Sequence, residues 1–121
     1  MMNNKFRIWD KIYKAMFQVS DISWACDGSI VYINGYIAED VILMQSTGLP
    51  DRNGKEIFDG DIVEHYAFYG YVLFEDGMFT MSGSANIHFG KYKQPLCYHD
   101  SIQCEVIGNI HDNPELLEAT K

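Results

Sequence analysis

Three of the five Asx-Gly pairs, Asp27-Gly28, Asn34-Gly35 and Asp76-Gly77, each stand between short apolar or aromatic runs. That arrangement constrains the fold more than any other feature of the chain. A two-residue type I′ hairpin turn needs φ > 0 at both central positions, and Asx-Gly meets that need at low steric cost. The pairs cut the sequence into Ser23–Cys26, Ser29–Ile33, Tyr36–Gln45, Tyr71–Glu75 and Met78–Met81. Asp51-Arg52-Asn53-Gly54 and Asp59-Gly60 punctuate the segment between. The pattern predicts a β-rich meander with short connections. Eight Tyr, seven Phe and two Trp in 121 residues support it, because aromatic side chains fit a pleated, half-buried surface.

The first strand is expected over Lys5–Asp10, pairing back through Lys14–Val19. A helical alternative exists there, since Ile12, Ala15, Met16 and Val19 also fall at helical spacing. The closing strand is expected over Ile102–Ile110, with Ile102, Cys104, Val106, Gly108 and Ile110 on one face. A short helix should follow, with Asn113 as N-cap and Pro114 in the first turn, where its missing N–H costs nothing. Leu116 and Leu117 would pin it to the core. The polar stretch Ser82–Gln94 is expected to be the most mobile loop.

The length suits a single domain spanning residues 1–121, large enough to fold without a disulfide or a metal. Cys26, Cys97 and Cys104 are odd in number and lack framework spacing. There is no signal-peptide pattern and no apolar run of membrane-spanning length. These features predict free thiols in a reducing cytoplasm and no membrane partner. The net charge of −8 disfavours polyanions as partners of the whole surface. The charge is uneven, however. Lys5, Arg7, Lys11 and Lys14 against Asp10 leave the first fourteen residues at +3, while five bases against sixteen acids leave the rest at −11. A solvated hairpin with bases on its edge explains the positive end, and a local phosphate-contacting patch is the alternative.

Two blocks carry a family resemblance. One runs Thr47-Gly48-Leu49, Asp51-x-Asn53-Gly54-Lys55-Glu56-Ile57 and Gly60-Asp61-Ile62-Val63; the other is Val106-Ile-Gly-Asn-Ile110 with Asn113-Pro114-Glu115-Leu116. Together with Trp9-Asp10 and Lys14-Ala-Met16 near the start, they resemble the YopX family, small proteins of phages and prophages of Gram-positive bacteria. The matched blocks cover residues 5–17, 44–63 and 105–117. The resemblance implies a mainly β fold: a partly open, SH3-like β-barrel with an N-terminal hairpin extension and one short C-terminal helix. It favours the hairpin over the helix near the start. It implies no established activity, catalytic residue or cofactor.

The residues of the middle block have a structural explanation of their own. Gly54 and Gly60 suit positive φ in tight turns, Asp51, Asn53 and Asp59 can bond the turning backbone, and Ile57, Ile62 and Val63 can feed the core. Several groups invite chemistry. Asp51, Glu56, Asp59, Asp61 and Glu64 could serve a hard cation, but Gly54 falls out of EF-hand register. Cys97, His99, Cys104 and His111 could ligate zinc, although Cys-x-His is not the usual knuckle spacing. His99, Asp100 and Ser101 suggest a hydrolase, yet adjacent strand residues would point to opposite faces, and no Gly-x-Ser-x-Gly elbow exists. His65, Tyr66, Phe68 and Tyr69 could form an aromatic platform or pack inward. No structural metal and no cofactor are expected.

The reading that results is a non-enzymatic module binding a host or phage protein. The aromatic surplus and an open sheet edge also predict self-association, most simply a two-fold dimer. A nucleic-acid-associated module using the basic hairpin and barrel aromatics is the alternative.

Overall fold

The structure, a computed structural model, describes residues 6–65, 68–83 and 93–118. The chain divides into two compact units, Met1–Ser46 and Thr47–Lys121. The first holds β1 (Phe6–Asp10), β2 (Ala15–Gln18), β3 (Ile22–Trp24), β4 (Ile30–Ile33), β5 (Tyr36–Ile37) and the start of β6 (Val41–Pro50). β1 lies between β2 and β6, antiparallel to both, with Ile8 opposite Phe17 and Leu43. The N-terminal hairpin therefore forms as the resemblance implied. Its bases sit differently from expectation: Arg7 is on the central strand, and Lys11 and Lys14 are in the turn. Buried Asp10 builds that turn, its Oδ1 accepting the N–H groups of Ile12 (2.9 Å) and Tyr13 (3.0 Å).

β3, β4 and β5 form a separate antiparallel sheet. Ile8, Val19, Ile33 and Val41 make the core of this unit, with Ile22, Ile30, Tyr36 and Leu43 packed against it. The strand expected over Tyr36–Gln45 is broken by a 3₁₀ turn, Ala38–Asp40. Ala, Glu and Asp are poor strand residues, and the chain changes partners there: β5 pairs with β4, β6 with β1.

The three Asx-Gly turns between apolar runs are not alike. Asn34-Gly35 and Asp76-Gly77 have positive φ at both positions, as a type I′ turn requires. In Asp27-Gly28 only Gly28 does. Gly28 N–H donates to the Ala25 carbonyl (3.0 Å) and Ala25 N–H to that of Ser29 (2.8 Å), which makes a three-residue loop. The Asp27 carboxylate takes both the N–H and the hydroxyl of Ser29 and braces this longer turn.

The second unit holds the end of β6, then β7 (Glu56–Phe58), β8 (Asp61–His65), β9 (Phe68–Glu75), β10 (Met78–Gly83), β11 (Lys93–Pro95), α1 (Tyr98–Ser101), β12 (Glu105–Asn109) and α2 (Glu115–Glu118). Five strands form an antiparallel sheet in the order β11-β10-β9-β8-β12, curled like a half-barrel with β11 and β12 at its two edges. The fold is mainly β. On the inner face Val63 stands opposite Gly70 and Val106, and Val72 opposite Met81. Phe74 and Phe79 are paired with ring centroids 4.9 Å apart. Ile57, Cys104 and Leu96 complete this core.

The last strand begins at Glu105, not Ile102. Before it, α1 and its following turn are held by local bonds, among them Ile102 N–H to the Tyr98 carbonyl (3.2 Å) and Cys104 N–H to that of Ser101 (3.1 Å). Ile102 is consequently exposed, while Cys104 and Val106 point inward as expected. The even alternation also fails at Ile107, where the register slips between Val106 and Gly108. Of the expected loop, Ser82–Gly83 ends β10 and Lys93–Gln94 opens β11; residues 84–92 lie outside the described residues. The C-terminal helix is in place as α2.

Two glycines in the family blocks have identifiable tasks. Gly60, at φ +91°, donates to the Val72 carbonyl (2.6 Å) and accepts from Ile110 N–H (2.8 Å), fastening both flanking segments to the β7–β8 turn. Gly108 admits Asn113, whose Oδ1 would lie 2.6 Å from any Cβ placed there. Among the described residues no helix is long and apolar enough to cross a membrane. Replacing Gly60 by Val should destabilise the protein by about 1–3 kcal/mol, because a β-branched residue is strained at positive φ. A lowered urea midpoint with an unchanged slope is the expected result.

Candidate functional site

The acidic residues of the middle block are occupied in holding backbone. The Asp51 side chain is buried, and its Oδ1 accepts the N–H groups of Asn53 and Lys55, both at 2.8 Å. Its Oδ2 reaches across to Val106 N–H on β12 (3.0 Å). Burial alone would raise the carboxyl pKa, but the three N–H donors, aided by the Lys55 charge, outweigh it and hold the pKa below its ordinary value. Asp61, also buried, accepts Phe58 N–H (2.8 Å). Arg52 donates its backbone N–H to the Cys104 carbonyl (2.8 Å) and pairs its guanidinium with Glu105 (2.6 Å). Glu105 lies directly opposite Glu64 in the sheet, so Arg52 relieves a like-charge pair. Among the described residues no group of three or more His, Cys, Asp or Glu is placed to hold a metal.

The Cys97–Cys104 segment gathers its polar groups on α1 rather than on a strand. Asp100 accepts from the Cys97 thiol and the Gln94 amide, each at 3.3 Å. The Ser101 hydroxyl is fully buried and donates to the Tyr98 carbonyl (2.9 Å). The helical turn, not strand alternation, is therefore what arranges His99, Asp100 and Ser101. Gln103 bridges elements, its Oε1 3.2 Å from His65 Nε2 and its Nε2 3.0 Å from His99 Nε2. Gln103 Nε2 also donates to the His99 carbonyl (3.1 Å), which orients the amide. The His65 ring then presents Nε2–H to Gln103, and His99 presents a bare Nε2. The Cys104 thiol donates to the Asp100 carbonyl (3.2 Å). Burial, reinforced by the Asp100 charge, pushes its pKa up to about 11. Cys26 and Cys97 are exposed free thiols. Of the expected aromatic platform, His65 and Tyr69 are half-buried; Tyr66 lies outside the described residues.

The first unit places apolar groups in water instead. At the β1–β2 tip Ile12 is 74% exposed and Tyr13 79%; further on, Trp24 is 62%, Ile37 53% and Tyr32 48% exposed. The β3–β4 register explains part of this surface. Ser23 pairs with Tyr32 but Trp24 with Ile30, leaving Val31 as an extra residue. The bulge lets two successive residues, Val31 and Tyr32, face solvent while Ile30 and Ile33 pack inward. Tyr32 is directly opposite Ile37 on β5, so both share the outer face. No sequence pattern announces this surface, because a bulge looks like ordinary strand until its partner is known.

The family model for YopX protein matches residues 5–118. The match thus extends through segments 18–43 and 64–104, where the motifs themselves thin out. Among solved structures the chain is similar to protein EF1440 from Enterococcus faecalis, at 29% identity and a TM-score of 0.62, covering 97% of this chain and 99% of that one. No curated protein matches.

Substituting Asp51 by Asn should cost about 2 kcal/mol, since one oxygen is lost and a buried N–H is left without its partner. The depressed carboxyl pKa stabilises the folded state above the unfolded value near ~3.9, and that contribution is lost as pH falls through the folded value. Asp51→Asn should therefore lose less stability than the parent between neutral pH and pH ~3, measured by urea unfolding at each pH. Thiol alkylation supplies a second check. At neutral pH Cys26 and Cys97 should react readily and Cys104 only on unfolding.

Proposed function

This chain belongs to the YopX family, and from that premise we propose that it is a phage- or prophage-encoded accessory protein of the host cytoplasm that binds another protein and is not an enzyme. The observation that carries this reading is the distribution of exposed apolar side chains. Among the described residues, seven of the eleven large exposed hydrophobics (Ile12, Tyr13, Phe17, Trp24, Val31, Tyr32 and Ile37) fall within one short stretch of the first unit. Exposed aromatics and branched aliphatics concentrated in this way favour contact surfaces, where burial returns roughly 25 cal/mol per Å² of apolar area. We read the curled sheet of the second unit as an SH3-like barrel left open, serving as the scaffold.

Self-association belongs to the same reading, through the exposed tip residues Ile12 and Tyr13 or through an edge strand such as β11. The β12 edge is partly occupied, with Val106 N–H and the preceding Cys104 carbonyl taken by Asp51 and Arg52, and the Gln18 carbonyl of β2 is taken by Asn34 (2.8 Å). The second reading is nucleic-acid contact at the hairpin tip, where Lys11 and Lys14 flank exposed Tyr13. Lys11 Nζ is already bonded to the Glu39 carbonyl (3.0 Å), which weakens it.

The two readings separate on purification of the tagged protein from lysogenic or infected cells, with and without nuclease. A stoichiometric protein partner that survives nuclease and is lost in an Ile12→Ser, Tyr13→Ser, Trp24→Ser variant is the expected result. Partners that vanish with nuclease, or binding that collapses steeply as salt rises, would overturn it in favour of nucleic acid.

A further inference from the structure

We propose that the outer face of the β3-β4-β5 sheet, centred on Tyr32 and Ile37, is the docking surface and that it receives a basic, apolar segment of a partner protein. The proposal rests on the protein-binding reading above and adds the site and the chemistry of its occupant. Tyr32 and Ile37 are side by side on one face, Ser23 lies opposite Tyr32 on the neighbouring strand, and the bulged Val31 is exposed beside them. An aromatic with one apolar flank and one polar edge suits such an interface, because its hydroxyl or indole N–H stays satisfied while the ring is covered.

Charge selects the occupant. From Ala15 to Ser46 the sequence contains no Lys or Arg, yet it holds Asp21, Asp27, Glu39 and Asp40, all four exposed. Asp21 stands two residues before Ser23, Asp27 three after Trp24, and Glu39 and Asp40 just beyond Ile37. Lys11 reaches the Glu39 backbone and offsets part of this charge, but an apolar face flanked by four carboxylates still attracts Lys- and Arg-bearing partners and repels acidic ones. A second copy of this chain, at net charge −8, meets that repulsion. A nucleic acid meets it more strongly.

Titration calorimetry on the intact protein makes the test direct. The probes are three synthetic peptides: alternating Lys and Leu, alternating Glu and Leu, and poly-lysine. The Lys/Leu peptide should bind, with the other two at least about tenfold weaker. Tyr32→Ser with Ile37→Ser should weaken binding about tenfold or more, as should Glu39→Lys with Asp40→Lys. Met78→Ser, at an exposed site in the second unit, should leave it unchanged and serves as the control. Equal binding of Glu/Leu or of poly-lysine would overturn the proposal, as would self-association that the Tyr32→Ser, Ile37→Ser variant abolishes. If none of the peptides binds while a protein partner still co-purifies from cells, this inference fails and the broader reading stands.

Discussion

The second unit depends on one buried carboxylate. A turn between β6 and β7 would ordinarily be held by its own backbone bonds and left exposed. Asp51 does more, because its two oxygens divide their work: one closes the local turn on Asn53 and Lys55, and the other reaches the backbone of β12, 55 residues away. Burying an ion without partners is prohibitive, whereas three N–H donors make the ionised form the stable one. The same contact covers part of the β12 edge, which would otherwise offer unpaired groups to another chain. Arg52 extends the seam on the same edge, by its backbone to Cys104 and its side chain to Glu105.

The first unit uses a neutral version of the same device. Asn34 occupies a type I′ turn, and its carboxamide donates to the Gln18 carbonyl while accepting from the N–H groups of Ser20 (2.7 Å) and Asp21 (3.3 Å). A carboxylate could not do this, since the task needs a donor and an acceptor on one group. Polar anchors at turns, rather than long runs of apolar contact, fasten the connections in both units.

These anchors leave apolar residues free to serve the surface. A short strand with strict alternation buries every second side chain, but the bulge at Val31 breaks the alternation where β4 meets β3. The result is an apolar outer face next to carboxylates, on strands already fastened through Asn34. Rigid support under an exposed apolar patch limits the ordering cost a partner must overcome.

The sequence by itself determined the elements whose causes are local. Asx-Gly pairs marked two type I′ turns, positive φ at Gly60 followed from its turn, and alternation placed Val106 inward. Turn geometry and strand pleat are set by residues a few positions apart, so they can be read along the chain. What the tertiary structure decided is which distant partner each polar group meets. Asp51 looked like one more turn acid until β12 was beside it, and the Tyr36–Gln45 run looked like one strand until its halves took different neighbours. The helical turn at Tyr98–Ser101 and the bulges at Val31 and Ile107 belong to the same class. Their residues are compatible with several backbone shapes, and long-range pairing and burial select among them.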